Sequence, residues 1–369
     1  MDLPRLRIGK VEAELPIIQG GMGVGISWEG LAGSVARAGA VGVVSAVGTG
    51  YRYPGLVKRD RLGRPLGSKN THHGEALKRI VREAKRIAGG RGAVGVNVLA
   101  AITDYGRVVR DAVEAGADLI ISGAGLPLSL PEYAEGSDAA LVPIVSSARA
   151  LNLICRTWKR RYGRLPDAVI LEGPLSGGHQ GFKYEDCFKP ENRLENLLPQ
   201  VLEAARSWGN LPVIVAGGVW SYEEIKRFIE MGAAGVQVAT RFIATEECDA
   251  PLVYKELMLE LEPDDIVLLK SPVGYPLRVV RTPFVERLLN GENGWQGCAS
   301  NCVVPCNRGE EAKKVGFCIA DRLGLAWLGD YEEGLFISGA NGWRLRKQGI
   351  IPVERLLRML TGKEKDPTL

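Results

Sequence analysis

The chain has 369 residues, 46% apolar and 24% charged, with a formal net charge of +4. These are the proportions of an ordinary globular protein and exclude a disordered or fibrous chain. The charge is too small to argue for nucleic acid, and no run approaches the roughly 18 apolar residues of a membrane span.

The opening residues, MDLPRLRIGKVEAELP, contain no apolar signal core, so a cytosolic location is expected. Seven cysteines in such a compartment do not read as a disulfide framework.

In chain order, short β-branched runs alternate with amphipathic stretches. Strands are predicted at 16–19, 40–46, 93–100, 118–123, 141–146, 167–173, 211–217 and 234–240. They are apolar throughout rather than alternating, as parallel strands covered on both faces are. Helices are predicted between them. WEGLAGSVARAG (28–39) places Leu31, Val35 and Ala38 on one face, and SYEEIKRFIEMGA opens on Ser221 with Glu224 three residues later, a capping-box pattern. Eight strands alternating with helices point to an α/β fold, a (β/α)8 TIM barrel, with a doubly wound open sheet as the alternative.

Residues 51–74, YRYPGLVKRDRLGRPLGSKNTHHG, interrupt the rhythm after the second strand. They read as a solvated basic loop, or as a lid or landing site for an acidic partner at the face where barrels build active sites. From about residue 263 the repeat stops. The expected division is 1–262, a barrel carrying the lid-like loop, and 263–369, a C-terminal extension with a cysteine cluster and a final helix, PVERLLRML.

Glycines mark nearly every strand end: QGGMGVG (19–25), SGAGLP (122–127), EGPLSGGHQGF (172–182) and AGGV (216–219). Glycine lets backbone approach a ligand and frees N–H groups to point at it. The loops after strands seven and eight, with Gly217 and Gly218 on one side and Ala239, Thr240 and Arg241 on the other, suit a phosphate. No P-loop and no Rossmann glycine pattern is present, which favours a mononucleotide such as FMN over a dinucleotide.

QGGMG, GVNVLA, SGAGLP, EGPLSGGHQG, PVIVAGGV, GVQVATRF and the late GANGWRL (339–345) resemble the nitronate monooxygenase (2-nitropropane dioxygenase) family of FMN-dependent barrels, which includes flavin-dependent enoyl-acyl-carrier-protein reductases. The resemblance implies FMN, with its phosphate between Gly217–Gly218 and Ala239–Thr240. It implies ring contacts near Gln19, Gly20, Gly21, Met22 and Asn97, with Ser122, Gly177 and Gly178 completing the cofactor site. Many members have glycine where this chain has Ala239. His179 is then expected beside the flavin as the general base, a role an imidazole fills near neutral pH; the bland reading is a loop histidine bonded to backbone. For His72 and His73, in the basic loop, the bland reading is preferred.

Cys298, Cys302, Cys306 and Cys318 have the spacing C-x3-C-x3-C-x11-C. The paired knuckles of structural zinc are absent, so a [4Fe–4S] cluster is the leading expectation, with zinc and unliganded thiols as alternatives. This combination resembles a branch of the family that dehydrogenates and isomerises acyl chains on acyl carrier protein. The resemblance therefore leaves three expected activities. The first, and the leading one, is oxidation of an alkyl nitronate or a similarly activated substrate with His179 as general base. The second is acyl dehydrogenation and isomerisation in fatty acid synthesis. The third is enoyl reduction, with NAD(P)H as reductant. A flavin and iron–sulfur redox sensor without turnover is the alternative of another class. Expected partners are a small molecule or acyl thioester, an acyl carrier protein, and a second copy in a homodimer; neither nucleic acid nor membrane is expected.

Overall fold

The computed structural model describes residues 3–369. An antiparallel pair, Leu6–Ile8 against Val11–Ala13, precedes the barrel. Eight parallel strands then follow: β1 (Ile17–Gln19), β2 (Val41–Ser45), β3 (Ala93–Leu99), β4 (Leu119–Gly123), β5 (Ala140–Val145), β6 (Val169–Glu172), β7 (Val213–Ala216) and β8 (Gly235–Val238). They close in sequence order, with β8 pairing β1 through Val236↔Ile17 and Val238↔Gln19. This is the expected (β/α)8 barrel, with every predicted strand in place.

Alternate residues face opposite sides of each strand. One set fills the barrel interior: Ile18, Val43, Ile121, Val142, Ile170 and Ile214 pack together. The other set meets the surrounding helices in a larger cluster. Burying each such side chain contributes about 1.5–3 kcal/mol, which is why strands with two covered faces carry so few polar residues. The exceptions at the upper ends of β3, β6 and β8, Asn97, Glu172 and Gln237, mark where packing gives way to a site.

Local chemistry sets the helix starts. Ser221 accepts from the Glu224 N–H at 3.2 Å while the Glu224 carboxylate accepts from the Ser221 N–H, completing the predicted capping box. Ser147 caps the helix Ala148–Tyr162 by accepting from the Ala150 N–H. His73 caps Gly74–Ala88 through Nδ1, the structural role expected of it.

Beyond residue 262 a hairpin, β9 (Ile266–Lys270) and β10 (Pro276–Val280), reaches back over the barrel mouth. A two-residue strand, Gly178–His179, pairs onto β10 with His179 opposite Leu277 and Gly178 opposite Arg278. Arg278 Nε and NH2 donate to the carbonyls of Ser176 (3.1 Å) and Pro174 (2.7 Å), so the glycine-rich loop after β6 is sewn to the hairpin.

The basic loop does not stand free. The Gly67 N–H donates to the Ala299 carbonyl (2.8 Å), Ser300 Oγ to the Pro65 carbonyl (3.2 Å), and Ile102 bridges Val303. The loop and the cysteine segment thus cover one side of the mouth together. At the far end of the chain, Asp366 pairs with Arg241, and Thr368 Oγ1 accepts from Trp220 Nε1 at 2.7 Å. No helix among the described residues is long and apolar enough to cross a membrane.

Candidate functional site

The strand ends and the segments folded over them enclose a cavity of about 250 Å³. Of the residues expected there, Gly20, Gly21, Met22, Asn97, Gly177, Gly178, His179, Gly217, Gly218, Ala239 and Thr240 all line it. Two expected contacts lie off it. Gln19 is fully buried in the wall, its Oε1 accepting from the Val43 N–H at 3.0 Å. Ser122 is likewise enclosed, its hydroxyl donating to the Val98 carbonyl (2.8 Å) and meeting Tyr105 Oη at 2.8 Å. Both side chains brace strands rather than face a ligand.

One end of the cavity is a backbone cradle. Gly217 and Gly218 have φ of +95° and +91°, where a side chain is strained, and a Cβ on Gly217 would stand 2.6 Å from the Gly173 carbonyl oxygen. Thr240 Oγ1 faces them and accepts from the Gly339 N–H at 3.0 Å, while Asn341 Nδ2 donates to the Gly218 carbonyl at 2.8 Å. The late GANGW motif therefore locks the two loops against each other. Beside Thr240, Arg241 is fully buried. Its Nε donates to Gln348 (2.8 Å) and NH2 to Asp366 (3.2 Å).

The floor is polar. Gln237 is buried and its Oε1 has no hydrogen-bond partner, a state that costs about 1–3 kcal/mol unless a ligand relieves it. A Cβ on Gly21 would lie 2.6 Å from the Asn97 Cβ, so that loop passes flat over the amide. A thin glycine wall, an unsatisfied amide beneath it and a phosphate cradle at one end fit a planar, polar-edged ring carrying a phosphate. The residues present fit FMN.

His179 lines the cavity, and its Nε2 lies 2.9 Å from Ser271 Oγ. Burial, with no countering charge, pushes the imidazole down to about 4, so it is neutral and able to accept a proton at neutral pH. Ser271, on the turn of the hairpin, was not legible in the sequence, since nothing local links it to a histidine 92 positions earlier. His72 makes the backbone hydrogen bond expected of it, but it is not on a solvated loop. It is 3% exposed and lines the cavity, its Nδ1 accepts from the Gly48 N–H at 3.3 Å, and its Nε2 has no partner. Burial pushes it to about 4 as well.

The remaining wall is apolar: Leu99, Ile102, Val273, Leu277, Ile319 and Leu323. Among the lining residues described, Arg241 is the only permanent cation, and it is already paired.

Cys302 lines this wall beside Val303, whereas Cys298, Cys306 and Cys318 do not line it. All seven cysteines are free. Burial raises the Cys302 thiol, and the other three thiols each raise it further, so the four share one neighbourhood. Burial likewise lifts Cys318 to about 11. Among the described residues no group of three or more His, Cys, Asp or Glu side chains stands at the spacing of a single metal ion's ligands. Asn301, Asn307 and Arg308 have φ of +43°, +46° and +55° within this segment. Asn307 and Arg308 thus make a tight left-handed turn directly after Cys306.

The barrel and its cavity define a flavin-dependent oxidoreductase. The nitronate monooxygenase family model matches residues 5–363, and the chain belongs to that family. It is 29% identical over 197 residues, 53% of its length and 51% of the relative's, to (3aS,4S,5R,7aS)-5-hydroxy-7a-methyl-1-oxo-octahydro-1H-indene-4-carboxyl-CoA dehydrogenase of Mycobacterium tuberculosis. It is 28% identical over 127 residues, 33% of its length and 34% of the relative's, to a probable nitronate monooxygenase of Staphylococcus aureus. The chain thus spans about half and a third of these relatives' lengths. In fold it is similar to FabK from Thermotoga maritima (TM-score 0.71, 24% identity, 95% of this chain and 93% of that one). It is also similar to nitroalkane oxidase from Streptomyces ansochromogenes (TM-score 0.67, 20% identity, 95% of each).

Proposed function

We propose that this protein oxidises or reduces an acyl thioester next to its carbonyl, with His179 as the base. The observation that carries this reading is a neutral imidazole opening onto an apolar wall that offers no free cation. The charged end of an alkyl nitronate gains nothing from such a wall, whereas a long acyl chain gains about 25 cal/mol for each Å² it buries. The similarity to an acyl-CoA dehydrogenase supports the same substrate class.

In this mechanism His179 removes the proton alpha to the thioester carbonyl, and Ser271 holds the ring in place. The apolar wall positions the chain and excludes water. Gly217, Gly218, Ala239 and Thr240 would hold the phosphate of FMN, which would supply the two-electron exchange at the beta carbon. NAD(P)H is the reductant if the reaction runs towards saturation. The family match supports a second reading, conversion of an alkyl nitronate and dioxygen to a carbonyl compound and nitrite, with the same residues.

We assign Cys298, Cys302, Cys306 and Cys318 to a [4Fe–4S] cluster. A four-iron cube holds its thiolates farther apart than one ion holds its ligands, which is compatible with the absence of a single-ion site. Four convergent thiols and the left-handed turn beside Cys306 support the assignment. We take 1–262 as the barrel unit, 263–369 as the extension that completes its site, and the compartment as cytosolic, where seven free thiols persist. Exposed Lys58, Arg61 and Lys69 on the loop beside the cysteine segment support an acidic carrier protein as partner.

The test is anaerobic. Acyl-CoA or acyl-carrier-protein thioesters should bleach the flavin of the purified protein, and alkyl nitronates should not. Nitrite release from nitronates once oxygen is admitted, with no response to any thioester, would select the second reading. Iron and sulfide assays on the same sample should give about four of each per chain.

A further inference from the structure

Glu172 ends β6, with its Cα opposite Ala216 of β7. Two residues on from Ile170, which packs inside the barrel, its side chain points to the same interior. There it lines the floor of the cavity. No described residue forms a hydrogen bond or an ion pair with its carboxyl. Glu172 is half-buried and faces the cavity, where an ionised carboxylate shut off from water without a partner is strongly disfavoured.

The surroundings offer no rescue by charge. β5 and β7, its neighbours in the sheet, carry no charged residue. On the helix Leu194–Ser207, packed outside β6, Glu195 is paired with Arg227 at 2.7 Å, and Glu203 and Arg206 are exposed. From the hairpin, Arg278 is committed to two carbonyls. Within the cavity, His72 and His179 are neutral at neutral pH, Tyr254 is raised by burial and stays protonated, and Arg241 is paired with Asp366. Cys302, whose thiol burial also raises, lies in the apolar wall. With burial as its only perturbation, the Glu172 carboxyl is pushed up to about 7.

We infer that Glu172 is a second proton-holding group of the cavity, and that filling the cavity is coupled to uptake of one proton on its carboxyl. Water that enters the empty cavity partly solvates the carboxylate, and a flat uncharged ring displaces that water. The acid form is then favoured further, and binding and protonation reinforce each other. The neutral acid can also donate a hydrogen bond, which the carboxylate cannot. The inference rests on the flavin reading of the cavity.

The sign follows directly. Affinity is level below the free protein's value of about 7. It falls about tenfold for each pH unit above that value, then levels again above the bound value. A ligand N–H donating to the carboxylate would produce the opposite trend, since it favours the charged form.

The experiment is a binding titration of riboflavin and FMN to flavin-stripped protein, followed by flavin fluorescence between about pH 6 and 9, a window spanning the expected transition. Riboflavin lacks the phosphate and so removes that group's own titration. Wild-type protein should bind riboflavin more weakly as pH rises through about 7, and E172Q should bind at the wild type's low-pH affinity with no slope. Proton uptake on wild-type protein, measured calorimetrically in buffers of different ionisation enthalpy, should approach one per riboflavin just above that pH and needs no variant. A flat or rising profile, an unchanged slope in E172Q, or no proton uptake would overturn the inference while leaving the flavin reading intact. No binding of either flavin at any pH would overturn both.

Discussion

The Ser271 hydroxyl stands 2.9 Å from Nε2 of His179, and the same oxygen accepts from the Val273 N–H at 3.2 Å. The hydroxyl is anchored to its own turn, so it fixes the imidazole from a segment that belongs to the hairpin rather than to the barrel. A single hydrogen bond of this kind is worth about 1 kcal/mol. Ser271→Ala should therefore lower kcat/KM about fivefold, with flavin affinity unchanged in a fluorescence titration.

His179→Ala should lose much more, about 10²–10⁴-fold in turnover, as removal of a general base does. Flavin content measured by absorbance should stay near that of the wild type. The pH profile gives a sharper check. A base whose value is lowered is active above that value, so the acid limb of kcat/KM should fall at about 4 rather than near the ordinary imidazole value. An acid limb in the ordinary range would mean that the ring is solvated.

Gly217→Ala should damage cofactor binding. The new Cβ would meet the Gly173 carbonyl oxygen at 2.6 Å on a backbone with φ of +95°. Strain of about 1–3 kcal/mol corresponds to roughly 5–150-fold weaker FMN binding, readable by equilibrium dialysis.

Asp366→Ala would leave Arg241 charged and buried without its partner. Breaking such a pair costs about 3–5 kcal/mol, so thermal unfolding should shift to clearly lower temperature. In the wild type, burial opposes ionisation of Asp366, but hydrogen bonds from Arg241 and Thr368 outweigh it and hold the carboxyl below its ordinary value. A lowered carboxylate contributes stability above its unfolded value of about 3.9, and that contribution disappears as pH falls through the lower folded value. The difference in unfolding temperature between wild type and D366A should accordingly narrow in acid.

The barrel was legible because its signal is local: eight runs apolar on both faces, most of them ended by glycine, admit few arrangements. The cradle was legible for the same reason, since Gly217–Gly218 and Ala239–Thr240 sit at fixed places in the repeat. Asn97 was found in a strand, and Glu172 and Gln237 carried the same signal, a polar residue interrupting an apolar run at its upper end. Gln19 gave that signal too, yet its side chain turns into the wall, because a strand's period of two decides which face a residue takes and the end of a strand hides its phase. Ser271 and His72 were out of reach. Ser271 meets His179 only through pairing across 92 positions, and His72 lies in a loop whose composition reads as solvated until its packing against the cysteine segment is seen.

The hold of Asp366 and Thr368 on Arg241 and Trp220 also makes the cavity a joint product of segments far apart in the chain. Residues 20–22 form one wall, and the residues that steady Arg241 next to Thr240 lie hundreds of positions later. A change confined to residues 366–368 would therefore reach the phosphate-side wall while leaving every strand of the barrel as it is.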